Sequence, residues 1–306
     1  MAATALLLDT DIGTDVDDAI ALALLCGAPD VRVRAVTTVS GDTTLRARIA
    51  KTVLLLAGRT DVPCAAGARA PLDARHSFLW LGHEGRGILE DVGDAPLDAR
   101  SGVDLLIDTV MRERCGVLAI GPLTNLAHAV TREPDLAGRI PRLTVMGGSL
   151  GLGAQTPPIE YNLCSDPEAA LQVLTAGIPT TLVPADVTTR VWLTASHLDQ
   201  LRRSTSRVAA CLARAIEIWN PLQRAFWSTL PGFHPENVAF LHDPLTAAVL
   251  LDPTLVRIEA MHLRPVIRDG LLAFVSDPAA AALDVAVDVD AERFVAGLMR
   301  QLVALP

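Results

Sequence analysis

Residues 4–28 read "TALLLDTDIGTDVDDAIALALLCGA". The apolar run "TALLL" has the length and composition of a buried strand, and the run from Asp17 to Cys26 has those of a helix. Between them, "DTDIGTDVDDA" (9–19) places five carboxylates, Asp9, Asp11, Asp15, Asp17 and Asp18, within ten positions. No Lys or Arg precedes Arg32, so nothing nearby in the chain balances that charge.

The same strand-then-helix alternation recurs along the chain. "VRVRAVTTV" precedes a helix predicted over 43–57, "GVLAI" one over 123–132, and "RLTVMGG" one over 167–176. "PTTLVPAD" precedes one over 194–218, and "LDVAVDVD" one over 291–304. That order is the signature of βαβ units. The expected fold class is α/β: a single domain over residues 1–306 with a mostly parallel open sheet flanked by helices, Rossmann-like in plan. There is no internal repeat and no Ser/Gly linker. Two stretches, "GLGAQTPPIEYN" (151–162) and 219–241, read as long loops beside the site.

Polar residues fall just beyond the C-terminal ends of the predicted strands: Asp9 and Asp11, Gly41 and Asp42, Thr124 and Asn125, Gly147 and Gly148, and Asp186. Open α/β sheets bind ligands along that edge. The acidic loop is therefore expected to face a site there.

Composition narrows the function classes. With 26 Lys and Arg against 35 Asp and Glu, the net charge is −9, and Lys51 is the single lysine. Nucleic-acid phosphates need clustered cations, so a nucleic-acid partner is not expected. The longest apolar run, "AIALALLCGA", is about half the ~20 residues that cross a bilayer, and "MAATALLLD" lacks a basic leader. No membrane partner and a cytoplasmic location are the expectations. Five scattered cysteines without a CxxC pair indicate reduced thiols and neither a disulfide framework nor a zinc site.

Two physical accounts of the acidic loop compete. Carboxylates cap helix N-termini and complement the helix dipole at about 0.3–1 kcal/mol each, which explains one or two aspartates. Five in one loop repel one another unless protonated or bridged, and the cation matched to oxygen donors is Ca²⁺ or Mg²⁺. An EF-hand is excluded: counted from Asp9 or Asp11, its Gly position is Thr14 or Val16 and its Glu position is Ile20 or Leu22. A DxDxT phosphotransferase loop is excluded because Gly13 stands where Thr is needed.

The aspartate block resembles the N-terminal motif of the inosine–uridine preferring nucleoside hydrolase family. The likeness continues in "VTTVSGD" (36–42), "VPCAAGARAPL" (62–72), "GHEGRG" (82–87) and "GPLTNLA" (121–127). It extends through "VMGGS" (145–149), "IEYNLCSDPEAA" (159–170) and "LHDPLTAA" (241–248), in the family's order. The resemblance implies Ca²⁺-dependent hydrolysis of the N-glycosidic bond of ribonucleosides, a salvage reaction, by a homodimer or homotetramer. It implies Asp11 as metal ligand and general base, Asp18, Asp243 and the Ile120 carbonyl as further ligands, and Asp17 as a ribose-hydroxyl acceptor. Glu160 and Asn162 match positions that hold the ribose, His242 matches an acid for the departing base, and His83 matches a base-pocket position. As bare aromatics, Phe226 and Trp227 are expected in the core, with stacking on a base as the alternative.

This chain departs from the family pattern at three places. The motif is two residues longer than the commoner DTDPGxDDA, with Ile12 in place of Pro, which leaves Asp15 as an alternative ligand to Asp18. Asp42 stands where better-known members have Asn, as a substrate-contact candidate or a neighbour that tunes Asp11. "GAQTPP" lacks an Asn that contacts the 5′ hydroxyl in relatives, for which Gln155 is the nearest substitute. Two alternatives therefore stand beside ribonucleoside hydrolysis: a hydrolase of another ribosyl compound, such as a modified nucleoside or nicotinamide riboside, and a Ca²⁺-holding ribose binder without turnover.

Overall fold

A computed structural model describes residues 4–91, 95–152, 159–229 and 233–306. The opening strand β1 (Thr4–Thr10) alternates its side chains between two cores: Leu6 and Leu8 pack on one side of the sheet and Leu7 on the other. Both faces are covered, which is why the strand reads as a continuous apolar run. The helix Asp17–Gly27 that follows is apolar nearly all round and buried along its first nine residues.

The remaining strands are β2 (Val31–Thr38), β3 (Cys64–Ala66), β4 (Gly116–Ala119), β5 (Leu143–Met146), β6 (Thr180–Val183), β7 (Trp192–Thr194), β8 (Asn237–Phe240), β9 (Val256–Arg268), β10 (Leu271–Ser276) and β11 (Ala282–Val289). Nine form one sheet in the order β10-β9-β11-β6-β5-β4-β1-β2-β3, and β7 and β8 pair separately. From β11 to β3 every neighbouring pair is parallel, while β9 and β10 extend the edge antiparallel. The expected single α/β domain with a mostly parallel sheet is the fold observed.

The order 3-2-1-4-5-6 within that sheet fixes the site. The chain leaves β1 in one direction through β2 and β3 and returns to its other side through β4, β5 and β6. The crevice between the C-terminal ends of β1 and β4 is the topological switch point, where such sheets bind ligands. Register places Asp9 beside Thr37 of β2 and Ala119 of β4, so Asp11 and Ile120 emerge side by side at that crevice.

Two predicted segments differ from expectation. The helix expected over 194–218 is two helices, Ala195–Arg203 and Arg207–Trp227, the second capped by the Ser206 side chain. The segment expected as a loop from 219 is helical as far as Trp227, with Pro221 inside the helix, and resumes as β8 before the next helix, His242–Leu251. Proline removes one backbone donor, but burial of Trp219 and Gln223 carries the helix past it. Among the described residues, no helix is long and apolar enough to cross a membrane.

Candidate active site

Two helix N-termini meet above the switch point. Asp17 and Asp18 occupy the first turn of Asp17–Gly27, and Asp243 the first turn of His242–Leu251. Neither helix has a side-chain cap of its own. Instead the Asp243 backbone N–H donates to Asp17 Oδ2 across the gap at 3.2 Å, so one of the five carboxylates does cap a helix, but the neighbouring one. The positive ends of both dipoles favour carboxylate charge here.

Carboxylate oxygens of Asp17, Asp18 and Asp243 lie within 4.8 Å of one another, and all three residues are buried. Asp11, Asp15, Glu160, Asn162, Ile120 and His242 line the same cleft, of about 420 Å³. The cluster thus includes Asp17, which the resemblance implies as a sugar-hydroxyl acceptor. Asp15 lines the cleft half-buried, with Oδ1 accepting from the Val16 backbone N–H at 2.6 Å.

Burial and mutual repulsion raise the pKa values throughout the cluster. Loss of solvent pushes Asp11 up to about 6 against the pull of Arg46, and pushes Asp15 up to about 8. It holds Asp17, Asp18 and Asp243 well above the ordinary carboxylate range, with neighbouring aspartates adding to the rise. A cluster this close is stable with all its protons off only beside cations. The donor set is hard oxygen throughout, three carboxylates in convergence with a further carboxylate and a carbonyl beside them, which fits a hard divalent cation.

Surrounding side chains fix these groups. Thr10 donates its hydroxyl to Asp18. Asp9, fully buried in β1, accepts from Thr37 Oγ1 at 2.6 Å and Asn125 Nδ2 at 2.7 Å, and burial lifts it to about 7. Gly121 is required by contact: a Cβ there would lie 2.8 Å from both the backbone nitrogen and Oδ1 of Asp11. Asn162 Nδ2 donates to the Ile120 carbonyl at 3.1 Å and so aims it. Glu160 caps the short helix Tyr161–Ser165, accepting from the N–H groups of Asn162 (2.6 Å) and Leu163 (3.0 Å). Burial nevertheless raises Glu160, because the Gly148 N–H at 2.9 Å and the other two donors only partly offset it.

On the other wall, His242 Nδ1 shares a hydrogen bond with Thr188 Oγ1 at 2.7 Å, and its ring stacks on Phe240 at 5.0 Å. Burial lowers His242 to about 4, so the imidazole is neutral at neutral pH. Trp219, Phe226 and Trp227 face the cleft beside it, with Phe226 about half exposed, so neither Phe226 nor Trp227 is a plain core residue.

Two residues named from the sequence stand outside the lining of the cleft. Asp42 caps the helix Thr43–Leu56, accepting from the Leu45 N–H at 3.1 Å. His83 is buried, with Nε2 against the Thr14 carbonyl at 2.8 Å and its ring stacked on Trp219 at 5.8 Å. Gln155 lies outside the described residues. Sequence reading missed Thr10, Thr188 and Arg46. Thr10 had a signal, lying between two motif aspartates; Thr188 and Arg46 had none beyond their proximity to strand ends.

Residues 6–296 match the profile of the inosine-uridine preferring nucleoside hydrolase family. The pyrimidine-specific ribonucleoside hydrolase RihA of Enterobacter sp. (strain 638) is 36% identical over 264 residues, 82% of this chain and 80% of that protein. Among solved structures, a plant nucleoside hydrolase, PpNRh1, superimposes with a TM-score of 0.85 at 29% identity, covering 98% of this chain and 99% of the other. A purine-preferring ribonucleoside hydrolase from Gardnerella vaginalis gives 0.85 at 27% identity, covering 99% of each. The chain belongs to the inosine-uridine preferring nucleoside hydrolase family, whose members are N-glycosidases that hydrolyse nucleosides.

Proposed function

We propose that the protein hydrolyses ribonucleosides to free base and ribose with a resident Ca²⁺, and that Asp11 is its general base. The reading is carried by one observation: Asp17, Asp18 and Asp243 converge at the switch-point crevice with Asp11 and the Ile120 carbonyl beside them. Asp11, Asp18, Asp243 and the Ile120 carbonyl would hold the ion, with Asp15 as the alternative carboxylate. When bound, the ion supplies Lewis-acid stabilisation of negative charge on water and sugar oxygens.

Asp11 takes the proton of the attacking water. Asp17, Glu160 and Asn162 orient the ribose by accepting or donating at its hydroxyls, a positioning contribution made before the bond breaks. As the C1′–N bond breaks, its electron pair goes to the base and positive charge develops on the sugar, which surrounding carboxylates favour. Water oxygen then bonds C1′. His242 acts in its protonated form, the minor one at neutral pH because burial lowers it to about 4: with Nδ1–H donating to Thr188, it gives its Nε2 proton to the departing base and is left neutral.

Trp219, Phe226 and Trp227 supply apolar faces for the base. The relatives' printed specificities differ from one another, one being pyrimidine-specific and one purine-preferring. Replacing Asp11 by Ala tests the assignment. Turnover should fall by several orders of magnitude while ribose binding, read by calorimetry, persists; unchanged turnover would remove Asp11 from the reaction.

A further inference from the structure

Among the described residues, Arg46 is the largest fully buried side chain, with no exposed surface. Arginine is almost never buried so completely unless it is ion-paired, because taking its charge out of water costs several kcal/mol. Among the described residues, no carboxylate forms an ion pair with it. Its Nε donates to the Ser40 carbonyl at 2.6 Å, Nη1 to the carbonyls of Asp11 and Ile12, and Nη2 to Thr14 Oγ1 at 2.9 Å. The Trp80 ring closes over its face at 5.1 Å.

These acceptors lie in the acidic loop and in the β2-to-helix turn, where Ser40 and Gly41 both have positive φ. Neutral dipoles satisfy the fork, but they do not balance its charge. The charge that does so is the carboxylate cluster, reached through the loop that Arg46 grips; its field lowers both Asp11 and Asp18. Thr14 passes the grip onward, with its Oγ1 donating to Glu84 at 3.3 Å, while Glu84 accepts from the N–H groups of Leu81 and Gly82.

We infer that Arg46 is a fixed internal counter-charge for the carboxylate cluster. It keeps the acidic loop formed when the ion is away and, by competing for the same negative field, weakens the affinity for Ca²⁺. Arg46 is thus a positioning residue with an electrostatic role, and the inference rests on the Ca²⁺ reading above. A purely structural clamp predicts the opposite sign, since loosening the loop would weaken metal binding.

The test is a competition titration of the metal-free full-length protein with Ca²⁺ against a chromophoric chelator, for wild type, Arg46→Gln and Arg46→Lys. Arg46→Gln, which keeps donors and loses charge, should bind Ca²⁺ about tenfold tighter. Arg46→Lys should stay within about threefold of wild type, because the cation remains. Equal or weaker binding by Arg46→Gln, or equal weakening in both variants, overturns the inference. If Arg46→Gln does not fold without metal, refolding with excess Ca²⁺ decides: recovery supports the counter-charge, and failure overturns it. A wild type that takes up no Ca²⁺, or an Asp243→Asn variant that takes it up as well as wild type, would overturn the Ca²⁺ reading itself and this inference with it.

Discussion

Raising the pH of metal-free protein from about 6.5 to about 8.5 should unfold it more easily, the reverse of what ordinary paired carboxylates do. A carboxyl whose folded pKa lies above its unfolded value stabilises the fold while protonated. That stability is full below the unfolded value of 3.8 and is lost as pH rises through the folded one. Asp15, at about 8, gives up about 2 kcal/mol across this window, and Asp9, at about 7, about 1 kcal/mol. Asp17, Asp18 and Asp243 change in the same direction. His242 is depressed instead, so its contribution is lost only as pH falls below 6.5, outside the window. A total of about 3 kcal/mol corresponds to a drop of roughly 6–12 °C in Tm for a chain of this size. Scanning calorimetry of chelator-dialysed protein reads it directly. Saturating Ca²⁺ should shrink the drop, because the carboxylates that face the ion then have a cation at every pH, and leave the smaller share of Asp9, which is held by Thr37 and Asn125 inside β1. A metal-free Tm that is flat or rises over the window would refute the claim that these carboxylates are buried against one another.

Further outcomes follow from single contacts. Thr188→Val removes the hydroxyl that holds His242 Nδ1 and should lower kcat on inosine or uridine about tenfold, with KM little changed and Thr188→Ser restoring it. The same variant should be nearly neutral on a p-nitrophenyl riboside, whose leaving group needs no proton; equal losses on both substrates would point to a packing role. Gly121→Ala sets a methyl 2.8 Å from Asp11 Oδ1 and should weaken Ca²⁺ binding and turnover together, as titration and assay of one preparation would reveal. Phe226→Ala should raise KM for nucleosides without altering Ca²⁺ affinity, since Phe226 lines the cleft from the helix Arg207–Trp227 and is not part of the acidic cluster; an unchanged KM would place the base elsewhere.

Six strands of the sheet, β1, β2, β4, β5, β6 and β11, were legible because each carries a largely apolar stretch ahead of a helical pattern, whereas β3, only three residues long, left no such signal. β9 and β10 were not legible either: most of their residues are exposed or half-exposed, so no burial pattern marks them. The helix through Pro221 was hidden because proline reads as a breaker, and only tertiary burial of Trp219 and Gln223 overrides it. The acidic loop advertised itself by charge density, and that density pointed to the cluster observed. Which aspartates converge depends on the path of the two extra residues between Asp11 and Asp17, and composition does not encode that path. Arg46 was invisible for a general reason. An arginine in a helix among alanines and leucines reads as solvated, and nothing local announces that three carbonyls and a hydroxyl from other segments will surround it.

Free-ribose release is the most direct test of the central claim. The measurement is a reducing-sugar assay over inosine, uridine, adenosine, cytidine and guanosine, their 2′-deoxy forms and nicotinamide riboside, each with and without a strong Ca²⁺ chelator. The account predicts ribose from ribonucleosides, little or none from the deoxy forms, and loss of release on chelation that added Ca²⁺ restores. Release that is indifferent to the chelator, or none from any of these compounds by protein with its site filled, would contradict it.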